Sequence, residues 1–383
     1  MALPDHPTPW AAAVDDRLDR VRAEGRWRTV RRLDALGPAG HLDGDGADRA
    51  VTSFASNDYL GLSAHPAVLA AAHEALDRWG AGATASRLVV GSRPPHHALE
   101  EDLAAWKGTD AALVFPTGYM ANLGVLTALA GPGTRIVSDE LNHASIVDGC
   151  RLARGELAIA PHADVAAVDR LLAADDRPAV VVTDAVFSMD GDVADVEGLA
   201  EVCARHHALL VLDEAHAVLG PDPGPWPAGA EVVRVGTLSK ALGALGGFVA
   251  CSGALRDLLV NAARPFIFTT GLSPADAAAG RAALGVVRSA EGEVLRTRVR
   301  AHVDRLRPGH PSPIVPVVLG EEDAAVAAAA TLLDQGLLVP AIRPPTVPAG
   351  TSRLRVTLSA AHTDAQVDAL VAGLGALAPG TVG

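Results

Sequence analysis

Short apolar runs alternate with stretches of helical periodicity, and this alternation constrains the chain more than any other feature. The runs are Ala111–Phe115, Arg135–Ser138, Ala179–Thr183, Ala208–Leu212, Val232–Val235 and Gly247–Ala250. Each is the length of a buried strand, and each ends abruptly in polar residues. Asn122–Leu129, Ala194–His206 and Ala254–Ala263 read as helices between them. Strands joined by crossover helices predict an α/β fold with a mainly parallel sheet covered on both faces.

The flanks read differently. Residues 1–50 predict an N-terminal helical segment rich in arginine, followed by a loose polar connection over Leu42–Ala50. A helix over His65–Trp79 follows, with Pro66 in its first turn and Gly80 at its end. The large α/β domain is expected over 51–271. A smaller α+β domain is expected over 272–383, with strands at Ile314–Leu319, Leu337–Val339 and Leu354–Leu358 and helices at Glu322–Gln335 and Asp364–Leu377.

Composition removes several classes of function. The net charge is −13 with no basic block, which argues against nucleic acid and anionic membranes as partners. No apolar run approaches 18 residues and no secretory signal opens the chain, so a cytoplasmic protein is expected. Cys150, Cys203 and Cys251 are far apart and form no CxxC pair. They read as buried thiols of a reducing compartment, and no metal site is expected.

In an open parallel sheet, ligands bind beyond the carboxyl ends of the strands. There the sequence collects Asp184 and Ser188 after one run, Asp213, Ala215 and His216 after the next, and Thr237, Ser239 and Lys240 after a third. Gly118 and Tyr119 follow Ala111–Phe115 and open a helix.

The lysine is the most informative of these. The chain has only two, Lys107 and Lys240, and arginine supplies the remaining positive charge. Schiff-base chemistry requires lysine, because an amine can lose its proton and attack a carbonyl whereas guanidinium stays protonated. Lys107 ends an amphipathic helix before Gly108 and is expected to be solvated. Lys240, in Thr-Leu-Ser-Lys past a buried strand, is the candidate for carrying pyridoxal 5′-phosphate. Asp213 suits the protonated ring nitrogen of that cofactor, with a helix cap as its ordinary alternative. His216 suits the phenolic oxygen, or is a satisfied core histidine. A helix start at Gly118 and Tyr119, with the Thr237 and Ser239 hydroxyls, suits the phosphate.

The strings SNDYLGL (56–62), GYMANLG (118–124), DELNHASIVDG (139–149), VFSMDGD (186–192), DEAH (213–216) and GTLSKALGALGG (236–247) occur in this order. Together they resemble the α-oxoamine synthases, pyridoxal-phosphate enzymes of the aspartate-aminotransferase-like fold (fold type I). The resemblance runs from about Arg28 to His362. The string AIRPPTVPAGTSRLRVTLSAAHT (341–363) is most similar to members that condense L-alanine with a pimeloyl thioester, on CoA or acyl carrier protein, in biotin biosynthesis.

By that resemblance Lys240 holds the cofactor and later moves the alanine Cα proton. His143 stacks on the ring, with Ala215 against the other face. Ser188 and His216 contact the O3′ region, and Asp213 pairs with the ring nitrogen. Gly118, Tyr119, Thr237 and Ser239 hold the phosphate, and Thr270 reaches the phosphate of a second subunit in a homodimer. Asn57 and Arg355 hold the alanine carboxylate, with Arg353 the alternative, and Arg28, Arg343 and Thr346 help bind substrate. His143 also suits a plain helix-start residue, and the arginines suit surface ion pairs.

Two segments depart from the family pattern. Glycine-rich sequence usually follows DEAH, but here it reads AVLGPDPGPWPAG from Ala217, and ASRLVVGSRPPHH (85–97) carries extra prolines. The alternatives are a sister synthase using another amino acid or acyl chain, and a silent or regulatory pyridoxal-phosphate protein.

Overall fold

A computed structural model describes residues 8–44, 47–174, 176–220 and 222–377. Helix α1 (Pro9–Ala23) is capped by the Thr8 hydroxyl and buries none of its side chains. An antiparallel meander follows: β1 (Arg32–Ala35), β2 (Ala39–Gly44) and β3 (Ala47–Ser53). The loose connection expected over Leu42–Ala50 is therefore largely strand. Only Leu42 and Val51 reach an apolar cluster, so alternation is too sparse to reveal it.

Helix α2 (Pro66–Trp79) matches expectation, including its end at Gly80 with φ +76°. Helix α3 (Pro94–Lys107) leads into the central sheet: β4 (Ala111–Phe115), β5 (Arg135–Asp139), β6 (Glu156–Ala160), β7 (Ala179–Asp184), β8 (Leu209–Asp213), β9 (Glu231–Thr237) and β10 (Gly247–Cys251). Its order is β4-β10-β9-β8-β7-β5-β6, and β10 alone runs antiparallel to its neighbours. The edge strand β6 is not among the predicted strands: its apolar run, Leu157–Ala160, is only four residues long and most of the strand is exposed.

Side chains alternate across the sheet, so consecutive valines feed two cores. Val180 and Val182 pack with α4 (Gly118–Leu129), α5 (Ala144–Ala153) and α8 (Gly253–Ala262). Val181 and Leu210 pack with α6 (Val165–Ala173) and α7 (Val196–Arg205). The short helix α9 (Arg264–Ile267) and the long α10 (Pro274–Val287) and α11 (Ala290–Leu306) follow.

The C-terminal part is a three-stranded antiparallel sheet formed by β11 (Ile314–Gly320), β13 (Ala341–Ile342) and β14 (Ser352–Thr357), with helices α12 (Glu322–Asp334) and α13 (Asp364–Leu377). The two-residue β12 (Leu337–Leu338) pairs instead with β3, parallel. One core joins Phe54, Leu99, Leu238, Leu284, Leu354 and Leu370, so the C-terminal part shares a core with the helices that cover β4 and β10. No helix of the described residues is long and apolar enough to cross a membrane.

Candidate active site

Strands β7 and β8 lie in register, which sets their terminal carboxylates Asp184 and Asp213 side by side. Asn122 of α4 donates to Asp213 Oδ2 at 2.6 Å, and the Ala215 N–H donates to Oδ1 at 2.9 Å. Asp184 Oδ2 accepts from the His143 N–H at 2.7 Å. Burial, then the charge of Asp213, pushes the Asp184 carboxyl well above the usual range. His143 caps α5, with its Nδ1 2.7 Å from Ser145 Oγ. Burial, then Lys240, lowers its pKa, so the ring favours the neutral form.

Lys240 follows β9 and turns back over these strand ends. Its Nζ lies 2.8 Å from His216 Nε2, and His216 Nδ1 lies 2.6 Å from Tyr59 Oη. Tyr59 donates to Asn57 Oδ1 at 2.9 Å, and Arg355 Nη2 donates to the same oxygen at 3.1 Å. Arg355 Nε donates to the Ser188 carbonyl oxygen at 2.5 Å. Five predicted residues are thus joined through one that was not predicted. Burial pushes the Lys240 amine down, against the pull of Asp213 and Asp184. Burial and the Lys240 charge push His216 well below its ordinary value.

A second group forms where α4 begins. Thr237 Oγ1 lies 2.7 Å from Ser239 Oγ, and a Cβ on Gly118 would stand 3.3 Å from the Thr237 Cβ. The Gly118 and Tyr119 N–H groups belong to the first helical turn, where the helix offers no acceptor of its own. The Tyr119 side chain points away and donates to Asp148.

Other predicted residues stand apart. Thr270 is exposed and bridges Ser86. Arg28 is exposed after α1, and Thr346 is exposed in the loop after β13. Arg343 donates to the Gly25 carbonyl at 2.9 Å. Arg353 is buried in an ion pair with Asp190, whereas Arg355 reaches Asn57.

The sequence profile of the family described as Aminotransferase class I and II matches residues 49–374. The chain belongs to the aminotransferase class I and II family. A relative from Anaeromyxobacter dehalogenans named 8-amino-7-oxononanoate synthase is 52% identical, over 97% of this chain and 96% of its own length. A second of that name, from Mycobacterium sp., is 47% identical, over 94% of each chain. The solved structure of Sphingomonas wittichii serine palmitoyltransferase superposes with TM-score 0.87 at 31% identity, over 98% of each chain.

This aminotransferase-family chain holds a buried charge cluster that corrects the reading of Lys107. That residue, expected to be solvated, is 7% exposed, and its Nζ lies 2.7 Å from Glu214 Oε2 and 2.9 Å from Asp222 Oδ1. Arg234, 2% exposed, reaches the same carboxylates at 2.6 and 2.5 Å. Helical periodicity marks Lys107 as polar but carries no information about a partner more than 100 residues away in sequence. Arg234 inside an apolar strand was the available signal, because a buried guanidinium requires carboxylates. Tyr59 and Asn122 were likewise missed as site residues, and Asp184, which the sequence places at the rim, was given no role there. Among the described residues, no group of three or more His, Cys, Asp or Glu is arranged to hold a metal ion.

Proposed function

We propose that this chain is a pyridoxal-phosphate-dependent 8-amino-7-oxononanoate synthase. It condenses L-alanine with a pimeloyl thioester, on CoA or acyl carrier protein, and releases CO2 and free thiol in biotin biosynthesis. The 52% identity to a relative of that name, over nearly all of both chains, carries this reading above the serine palmitoyltransferase alternative at 31%.

The residues present fit the cofactor. A helix N-terminus approached by Thr237, where a Cβ on Gly118 would narrow the cradle, suits its phosphate. Lys240 would hold it through Nζ, and Asp213, oriented by Asn122, would keep a proton at its ring nitrogen. His143 and Ala215 would lie against its two faces, with Ser188 and His216 near its O3′ and Ser239 near its phosphate. When bound, pyridoxal phosphate supplies a sink for the electron pair left as a bond to the amino acid Cα breaks.

Arg355 and Asn57 would fix the alanine carboxylate, orienting the bonds at Cα. Lys240 Nζ, its pKa lowered by burial, would take the Cα proton. The Cα then bonds to the thioester carbonyl carbon, the thiolate leaves and takes up a proton, and the carboxylate departs as CO2. A proton returned to Cα from Lys240 completes the balance. Arg28, Arg343 and Thr346 would contact substrate from the outer loops.

The proposed assembly is a cytoplasmic homodimer. Free, buried cysteines suit a reducing compartment. Leu88, Val89, Val90 and Phe268 are exposed beside the Ser86–Thr270 bridge, an apolar patch that suits a second copy whose phosphate Thr270 would reach. A fully active monomer in sedimentation would refute the shared site.

The deciding experiment pairs alanine, glycine or serine with pimeloyl-, acetyl-, succinyl- or palmitoyl-CoA and follows thiol release. Alanine with pimeloyl-CoA is expected to dominate; preference for serine with palmitoyl-CoA would move the chain to the sister activity.

A further inference from the structure

The contacts that join Lys240 to Arg355 run in one direction. Tyr59 Oη donates its single proton to Asn57 Oδ1, which also accepts from Arg355. Toward His216 Nδ1, 2.6 Å away, Oη can then act only as an acceptor. Nδ1 therefore carries the ring proton, and Nε2 offers its lone pair to Lys240 Nζ at 2.8 Å. Tyr59 is fully buried, so no solvent molecule competes for Oη.

The charged groups around this line favour the same arrangement. His216 faces Lys240, Arg355 and His143, and a cation on its ring would meet at least two others. Tyr59 faces Arg355, while Lys240 faces Asp213, Asp184 and Arg355. A neutral imidazole that accepts at Nε2 takes one N–H of Lys240 and turns the amine's lone pair elsewhere, free to accept a proton.

We infer that Tyr59 is a positioning residue: it fixes His216 as the Nδ1–H tautomer, keeps Nε2 an acceptor for Lys240, and ties that orientation through Asn57 to Arg355. The inference rests on the proposed role of Lys240. It gives the tyrosine of SNDYLGL a task distinct from that of the asparagine beside it.

The test is imidazole ¹⁵N NMR of the histidine-labelled chain with and without pyridoxal phosphate, for the wild type, Tyr59→Phe and Asn57→Asp. The wild type is expected to show a protonated Nδ1 and an unprotonated Nε2 on His216. Asn57→Asp, which still offers Tyr59 an acceptor, is expected to keep that tautomer. Tyr59→Phe is expected to populate the Nε2–H form and to shift the pH midpoint of the visible cofactor band. Its kcat should fall about 10-fold with the amino-acid KM within about 2-fold. An Nε2–H tautomer in the wild type overturns the inference, even if Tyr59→Phe does not fold. So does a Tyr59→Phe chain with wild-type tautomer and band midpoint. A wild type with the Nδ1–H tautomer but no visible band would sink the proposed activity and support the tautomer assignment.

Discussion

Lys107 Nζ lies 2.7 Å from Glu214 Oε2, and both side chains are at most 5% exposed. Glu214 stands between Asp213 and Ala215, so this pair anchors the peptide that carries the candidate ring-nitrogen partner. Arg234 and Asp222 complete a set of two cations and two carboxylates, and Asp222 brings in the proline-containing loop after His216. A buried pair contributes little net stability, but removing one partner leaves an unpaired charge in the interior.

Lys107→Met is therefore expected to destabilise the fold by about 3–5 kcal/mol. The urea midpoint should fall at constant slope. Adding Glu214→Gln removes the excess negative charge, leaves Arg234 paired with Asp222, and should recover part of the loss. A cost below about 1 kcal/mol for the single variant would mean that the pair behaves as a solvated one.

Lys240→Arg keeps the positive charge but cannot supply a neutral amine. Burial already pushes the Lys240 amine down, toward the form that can accept a proton. The expected outcome is an unchanged circular dichroism spectrum, no visible cofactor band, and turnover lower by at least about 10³-fold. Near-normal thiol release from this variant would remove Lys240 from the chemistry.

Arg353 and Arg355 are separated only by Leu354 in β14 and so share a face of the strand, yet their partners differ. Arg355 shares Asn57 Oδ1 with Tyr59, whereas Arg353 is taken up by Asp190. Loss of a charge-assisted contact of about 1.5–3 kcal/mol predicts that Arg355→Ala raises the amino-acid KM about 10- to 150-fold. Arg353→Lys should leave that KM within about 2-fold and act on stability instead. Steady-state kinetics with varied alanine separates the two, and the reverse ranking would exchange their roles.

Much of the architecture was legible because strand length, valine content and helical spacing are local. The six apolar runs are β4, β5, β7, β8, β9 and β10, and the residues just past β7, β8 and β9 do converge, whereas antiparallel β10 carries Ser252 to the opposite rim. The meander over 32–53 was not legible, because its strands face solvent on most positions and lack the alternation that burial imposes. The partner of a charge is equally nonlocal. Lys107 meets Glu214 only because α3 packs against β4 and β10 of the folded sheet. Tyr59 was hidden differently: its motif was read for Asn57, and nothing in spacing announces a hydroxyl placed between an amide and an imidazole.

The loop 186–192 that offers the Ser188 carbonyl to Arg355 is itself held by a histidine. His162 Nε2 lies 2.7 Å from Asp192 Oδ2, and Nδ1 lies 3.1 Å from Asp139 Oδ1, with the ring edge-on to Phe187. Burial opposes a charge on this ring, but the hydrogen bonds to Asp139 and Asp192 and their charges together outweigh it and raise the pKa. A histidine whose folded pKa is raised binds more protons in the folded state. Its contribution is full below the unfolded value of 6.5 and is lost as pH rises through the folded value. The stability gap between wild type and His162→Gln should therefore be larger at about pH 6 than at about pH 9. Urea midpoints at the two pH values measure it. A gap that stays constant or widens toward high pH would show that His162 holds the loop as a neutral ring.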